Sequence, residues 1–317
     1  MVSGSSERNL RMGSRWVKDL GMGRKVIIYG ATGFVGGGLA TLLAEEGWEV
    51  IGVSRKGTGS VKGVSKWTTP DDVVFSGVEA VVNLAGEPID QRWTENKKKS
   101  FHESRVGVTE GIVTKIAALS ESERPSVLLN ASAVGYYGGR GDEVLEEDAS
   151  QGDGYLADLC AAWEEAAMKA EALGVRVVRV RIGVVLGEGG QAFEKLKTVF
   201  KAGIGGRLGD GQQWMPWIHV NDLRRAMVFC VSNQNISGAV NGTAPNPERN
   251  ADLTRKMAES VNRWVFLPVP GFALKILLGG FGSALLVGQR AIPGKLAGAG
   301  FEFRFPQLDA ALRNLID

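Results

Sequence analysis

The sequence predicts an α/β fold, a doubly wound parallel sheet with a smaller C-terminal lobe. Three observations predict it. Short apolar runs rich in Val and Ile alternate with helix-like segments over more than half of the chain. The first run feeds a turn with three spaced glycines. The chain has 317 residues, 44% of them hydrophobic, which suits one large α/β domain with a lobe, or two domains.

Taken in order, Val26–Tyr29 reads as a strand, Phe34–Gly47 as a helix and Glu49–Val53 as a strand. Ala80–Leu84 is a strand ending in Ala85-Gly86, and Thr94–Leu119 is mostly helical. Ser126–Ala131 is a strand, Tyr155–Leu173 a helix closed by Gly174, and Val175–Ile182 a strand ending in Gly183. Alternation of helices with strand-like runs rich in Val, Ile and Leu belongs to a parallel sheet covered on both faces. Trp217-Ile-His219-Val reads as a strand, with Asn221 or Asp222 capping the next helix. Phe272–Val287 is apolar but too short for a bilayer span. It contains Lys275 and Gly279-Gly280 and reads as two short buried helices. The organisation expected is a leader over 1–24, a nucleotide-binding domain over 25–187 and a substrate lobe over 188–317. Residues 216–241 are expected to return to the first core. The leader is rich in Ser, Gly, Arg and Met. Over 1–25 six cations, Arg8, Arg11, Arg15, Lys18, Arg24 and Lys25, oppose Glu7 and Asp19, for +4. It has no apolar secretory core, and its composition fits either an organelle transit remnant or an unstructured leader.

The first turn carries the chemistry. Gly30-Ala-Thr32-Gly33-Phe34-Val35-Gly36 places glycines at G-x-x-G-x-x-G spacing between a strand and a helix. Gly30 permits a sharp turn, Gly33 lets a pyrophosphate approach the backbone, and Gly36 lets the helix pack closely. The helix N-terminus then offers free N–H groups to phosphate. This is a Rossmann-like dinucleotide signature. The second strand ends in Ser54-Arg55-Lys56 where NAD sites place a carboxylate, so the expected cofactor is NADP(H).

Net charge of +2 gives no case for nucleic acid as the main partner. Lys97–Lys99 is a charge run without interleaved aromatics, so an RNA-binding face is the weakest reading. Two cysteines, Cys160 and Cys230, suit a reducing compartment rather than a disulfide scaffold. With two histidines, His102 and His219, no metal site is expected.

The other strand ends supply further candidates. Asn83-Leu84-Ala85-Gly86 leaves room for the cofactor beside the sheet. Asn130-Ala-Ser132-Ala-Val-Gly-Tyr136-Tyr137 offers a hydroxyl, Ser132, beside the nicotinamide position, with two tyrosines lining the cleft. Arg181 is grouped with the cofactor residues. Gln212, Trp214 and His219 are candidates for a polar substrate pocket, although a lone His is more often structural.

The set GATGFVG, VNLAG, SAVGYYG, RIGVVLG, WIHVNDL and NGTAPNP resembles the extended, atypical branch of the short-chain dehydrogenase/reductase superfamily. More narrowly, Asn83–Ile89, Arg92-Trp93, Ser104-Arg105, Leu159–Glu164, Gly187–Gly190 and Gly288–Arg290 are similar to the epimerase-family group of nucleoside-diphosphate-sugar epimerase or cell-division-inhibitor-like (SulA-type) proteins. The wording around Gly211–Trp214 and Asn241–Pro247 looks most like plastid versions from plants and algae. The resemblance runs from about Lys25 to the C-terminus. It implies a Rossmann domain and a smaller lobe closing over NADP(H), in a plastid or otherwise in the cytoplasm. It carries Ser132 onto the superfamily's Ser/Thr position and Tyr155 onto its Tyr. The Lys four residues on has no match, because Leu159 stands there. Two functions follow as expectations. One is an NADP(H)-dependent oxidoreductase or epimerase with an unidentified small-molecule substrate. The other is an NADP(H)-binding regulator or scaffold with a protein partner, in cell or plastid division.

Overall fold

The computed structural model describes residues 23–264 and 268–316. The leader expected over 1–24 lies almost wholly outside the described residues. Seven strands form one parallel sheet: β1 Lys25–Tyr29, β2 Glu49–Val53, β3 Val64–Thr68, β4 Ala80–Asn83, β5 Val127–Ala133, β7 Arg176–Ile182 and β11 Gly238–Gly242. Their order is β11-β7-β5-β4-β1-β2-β3. Short pairs flank it: β6 Val144–Leu145 with β13 Arg290–Ala291, β8 Val184–Leu186 with β10 Trp217–His219, and β9 Trp214–Met215 with β12 Glu248–Arg249. The order reverses at β1, so the crevice beyond β1 and β4 is the topological switch point where α/β sheets bind ligands.

The helices are α1 Phe34–Glu45, α2 Glu95–His102, α3 Val108–Ala117, α4 Tyr155–Met168, α5 Gln191–Lys201, α6 Val220–Ser232, α7 Asn250–Ser260, α8 Gly271–Leu278, α9 Gly280–Ala284, α10 Gly294–Gly298 and α11 Leu308–Ile316. Successive strand side chains point to opposite faces. Val26, Ile28, Val50, Val82 and Leu129 pack with Leu39 and Leu43 of α1 and Leu223 and Met227 of α6. Ile27, Val81, Leu128 and Val177 pack with Ile112 and Ile116 of α3 and Ala167 of α4. A third core joins Phe193, Phe200, Trp217, Leu253, Met257, Leu308 and Leu312.

Four local expectations change. The span 94–119 is interrupted by a π-turn over Glu103–Gly107 between α2 and α3. The helix starting at Tyr155 ends at Met168, and a short turn over Glu171–Leu173 leads to Gly174 in the left-handed region at φ +80°. The α6 cap is His219, whose Nδ1 accepts from the Asn221 N–H at 3.1 Å. α8 and α9 form where expected but α8 is not buried: Phe272, Ile276 and Leu277 are 69%, 67% and 71% exposed. Its apolar face is continuous, so sequence alone could not say which side would be covered. The strand β3 is not among the expected strands, because Val-Ser-Lys-Trp-Thr is an edge strand with polar residues interleaved.

Asp222, the other expected cap, instead latches the C-terminal segment. Its carboxylate is fully buried, accepts from the Arg304 and Phe305 N–H groups at 3.0 and 2.8 Å, and pairs with Arg225 at 3.0 Å. Removing it strands two backbone donors and a half-buried guanidinium. Asp222→Ala is expected to lose about 2–4 kcal/mol in urea unfolding. A loss under about 0.5 kcal/mol would mean the latch contributes nothing measurable.

Candidate functional site: a glycine-floored cleft at the sheet switch point

β1 enters the turn at Gly30, which takes φ +77°. A Cβ there would sit 2.8 Å from the Leu84 carbonyl oxygen. The Gly33 N–H returns to the Gly30 carbonyl at 2.9 Å, closing the turn. A Cβ on Gly36 would sit 2.2 Å from that same Gly30 oxygen, so α1 rests on the turn backbone to backbone. Gly33 is the N-cap of α1 and supplies no side-chain acceptor. The first-turn N–H groups are therefore left for a ligand, at the positive end of the helix.

Above this floor lies a cleft of ≈ 360 Å³. Its walls are Gly30, Gly33, Phe34, Val35 and Gly36 from the turn, Leu84, Ala85 and Gly86 after β4, Ala131 and Ser132 from β5, and Leu156, Leu159 and Cys160 from α4. An anionic dinucleotide fits these features: a side-chain-free floor, an uncapped helix and small residues at two strand ends. Among the residues lining the cleft, Arg105 is the one charged side chain. It belongs to the π-turn and was not singled out for the cofactor site. Its signal was the Ser-Arg pair one helical span after the second small-residue motif.

A second cavity of ≈ 450 Å³ adjoins the first across Leu156. Trp93, Lys98, Gly135, Asp153, Tyr155, Ser283, Val287 and Gln289 line it. Ser132 and Tyr155 thus line different cavities. The Ser132 hydroxyl donates to Glu164 Oε1 at 2.7 Å. The Tyr155 hydroxyl donates to the Lys98 carbonyl at 3.3 Å, and its ring centre lies 5.1 Å from that of Trp93. Burial raises the Tyr155 pKa, Arg105 opposes that shift and Glu95 adds to it.

Several other expected residues serve the scaffold. Arg181 is buried with its guanidinium on Glu164, at 2.8 and 3.0 Å, and stacks on Tyr136 at 3.6 Å. Tyr137 is fully buried; it donates to Asn241 at 2.7 Å and accepts from Arg181 at 2.9 Å. Burial pushes its pKa up to about 12. Asn83 is fully buried and donates to Asn130 and Thr109 at 2.7 and 2.9 Å, while its own oxygen accepts the Ala85 N–H. It thus shapes the strand end from behind. His219 is buried and stacked on Phe305, with Nε2 3.1 Å from Asn314 Oδ1. Because Nδ1 accepts a backbone N–H, Nε2 carries the proton, and burial lowers the pKa to keep the ring neutral. The guanidinium groups of Arg249 and Arg290 each lie 4.6 Å from the Trp214 ring centre, and Trp214 donates to Asp142 at 2.7 Å. Gln212 is exposed, its N–H on Asp210. None of Arg181, Tyr136, Tyr137, Gln212, Trp214 and His219 lines either cavity.

Beyond β2, Ser54 closes its own loop, donating to the Thr58 carbonyl at 2.7 Å and accepting the Thr58 N–H at 3.1 Å. Arg55 and Thr32 are exposed beside the turn. Lys97, Lys98 and Lys99 each pair with a carboxylate, Glu87, Glu95 and Glu103. Among the described residues no group of three or more His, Cys, Asp or Glu is gathered for a metal. No helix there is long and apolar enough to cross a membrane.

The switch-point cleft, glycine floor and seven-strand parallel order define a Rossmann-type α/β protein. The chain belongs to the NAD dependent epimerase/dehydratase family, whose model matches residues 26–241. Residues 269–315 match a domain of unknown function, DUF1731. It is 38% identical over 300 residues to the chloroplastic SDR39U1 homolog of Arabidopsis thaliana, an epimerase family protein, covering 92% of this chain and 86% of that one. It is 38% identical over 293 residues to the epimerase family protein Mb2239 of Mycobacterium bovis, covering 90% and 96%. The crystal structure of human epimerase family protein SDR39U1 with NADPH superimposes with a TM-score of 0.83. Identity there is 32%, over 92% of this chain and 99% of that one.

Two measurements check this geometry. Gly36→Ala should abolish nucleotide binding or folding, because its Cβ meets backbone. Gly37→Ala should be tolerated, since its nearest neighbour would be 3.5 Å away. Equal behaviour of the two variants would refute the close-packed floor. Burial also pushes the Cys160 and Cys230 thiols up to about 11 and about 12. Thiolate forms only above those values, so iodoacetamide at pH 8 should leave both unlabelled in the folded protein and modify both in urea. Rapid native labelling of Cys160, followed by mass spectrometry, would contradict this.

Proposed function

We propose that this chain binds NADP(H) and acts as an oxidoreductase or epimerase of the extended short-chain dehydrogenase type. The observation that carries the reading is the side-chain-free floor beneath an uncapped helix, shaped for a pyrophosphate. The NADPH-bound relative supports it. Gly30, Gly33, Phe34, Val35 and Gly36 would hold the pyrophosphate, with Thr32 at the turn. Leu84, Ala85 and Gly86 would border the cofactor. Ser54 and Arg55 lie beyond β2, where the adenosine ribose is expected, and the stretch Ser54-Arg55-Lys56 holds no carboxylate to repel a 2′-phosphate. Among the described residues Arg55 has no carboxylate partner, which leaves its charge for that group.

Once bound, the cofactor supplies or accepts a hydride. The chain's own residues orient the other reactant. Ser132 already donates its proton to Glu164, so it presents lone pairs to the cleft. The group it suits is an alcohol O–H or an amide N–H. Tyr155 faces the adjoining cavity, where a substrate reaching across Leu156 would meet it. Its raised pKa keeps the phenol protonated at neutral pH, a state suited to donating a proton rather than taking one.

One observation favours the regulator or scaffold reading instead. Leu159 fills the position of the activating lysine, and the cleft holds no carboxylate, imidazole or amine. That reading predicts cofactor binding without turnover and a protein partner sensitive to the cofactor's redox state. A plastid location rests on the composition of residues 1–24 and on the chloroplastic relative.

Fluorescence titration separates the outcomes. NADPH should bind with micromolar Kd, about −8 kcal/mol, and NADH at least tenfold more weakly. Arg55→Ala should remove most of that preference. Binding of neither nucleotide would sink the proposal. Stereospecific hydride exchange with a carbonyl or sugar-nucleotide substrate would decide for an enzyme over a scaffold.

A further inference from the structure

Arg105 is the charged residue that reaches the cleft, and it arrives by an irregularity in its helix. An ordinary α-helical path from α2 into α3 would be continuous. The π-turn over Glu103–Gly107 inserts one residue into that path. The insertion lets two demands be met at once. Thr109 stays in the buried network, accepting from Asn83 and Trp163 at 2.9 and 3.0 Å. Arg105, one turn earlier, lies against Gly86, where a Cβ would sit 3.1 Å from its guanidinium carbon.

The guanidinium is held but not used up. Nη2 donates to the Glu87 carbonyl at 2.9 Å, and Nη1 makes two long contacts, to the Phe101 carbonyl at 3.4 Å and Ser104 Oγ at 3.5 Å. Nε–H has no acceptor among the described residues. The face of Trp163 lies 5.3 Å from the charge. Its place in the sheet says which part of a dinucleotide it meets. The order β5-β4-β1-β2 puts the adenosine half over β1 and β2, where Ser54 and Arg55 stand. Arg105 lies at the β4–β5 side, near Ser132, Leu159 and Cys160. Its positive charge also works against the burial that raises Tyr155 and Cys160.

We propose that Arg105 takes over, from the neighbouring helix, the position left uncharged at Leu159, and binds the nicotinamide half of the dinucleotide in the cleft. The inference rests on the NADP(H) reading above. It differs from a purely structural role, in which Arg105 would do no more than pin the Glu87 carbonyl.

The test compares two probes on wild type, Arg105→Ala and Arg105→Lys. NADPH carries the nicotinamide half, and adenosine 2′,5′-bisphosphate lacks it. Affinities come from calorimetry, and emission of the bound dihydronicotinamide gives a second readout. Arg105→Ala is expected to weaken NADPH at least tenfold, to lower its bound emission, and to change bisphosphate affinity less than twofold. Arg105→Lys should recover most of the loss. Unchanged NADPH binding in a folded Arg105→Ala would overturn the proposal and leave the cofactor reading intact. Equal weakening of both probes, unrescued by lysine, would assign Arg105 to the loop alone and overturn it as well. If wild type binds neither probe, the NADP(H) reading itself fails and takes this proposal with it. Should Arg105→Ala not fold, Arg105→Gln, which keeps a donor for Glu87 without the charge, reads the same contrast.

Discussion

The buried carboxylate of Glu164 is the interaction on which the upper end of the sheet depends. It accepts from Ser132 on β5 and from Arg181 and Arg179 on β7, and it hangs from α4. Arg181 extends the network to Tyr137 and, through it, to Asn241 on β11. One side chain thus fixes three neighbouring strands and the helix above them. A charge this deep is tolerable because its oxygens are paired and hydrogen-bonded. The arrangement also sets the chemistry of the cleft. By accepting the hydrogen bond from the Ser132 hydroxyl, Glu164 decides which way that hydroxyl faces a ligand.

A second network does the same work on the β4 side. Asn83, Asn130, Thr109 and Trp163 satisfy one another behind the strand end. They let the chain leave β4 through Ala85 and Gly86, which bring no polar side chain into the cleft. The cleft is lined mostly by backbone and apolar groups, with the Ser132 hydroxyl at one wall, and its charge comes from a helix terminus and one guanidinium. In a region this poor in charge, a single cation has a long reach, because little screens it.

Much of this was legible in the residues. The strand–glycine–helix pattern located β1, the turn and α1, since each glycine position is dictated by backbone contact rather than by taste in side chains. Runs rich in Val, Ile and Leu located β2, β4, β5 and β7, because strands covered on both faces are dominated by such residues. The polar candidates were harder. Ser132 and Arg181 lie on the same strand-end level, yet one lines the cleft and the other is turned away into an ion pair. Tyr136 and Tyr137 carry aromatic rings suited to a pocket, and packing against Arg181 used them instead. A motif names residues, not the direction in which the fold points them.

The sequence by itself determined the fold, the glycine floor and the absence of a lysine four residues after Tyr155. These depend on local spacing and backbone sterics, which are written in consecutive residues. Tertiary structure decided that Ser132 is bound to Glu164, that Ser132 and Tyr155 line separate cavities, and that Arg105 stands in the switch-point cleft. Each of these joins residues tens of positions apart through a buried hydrogen bond or a shifted helix register. Their energies exist only once the strands and helices have been brought together and water has been excluded between them.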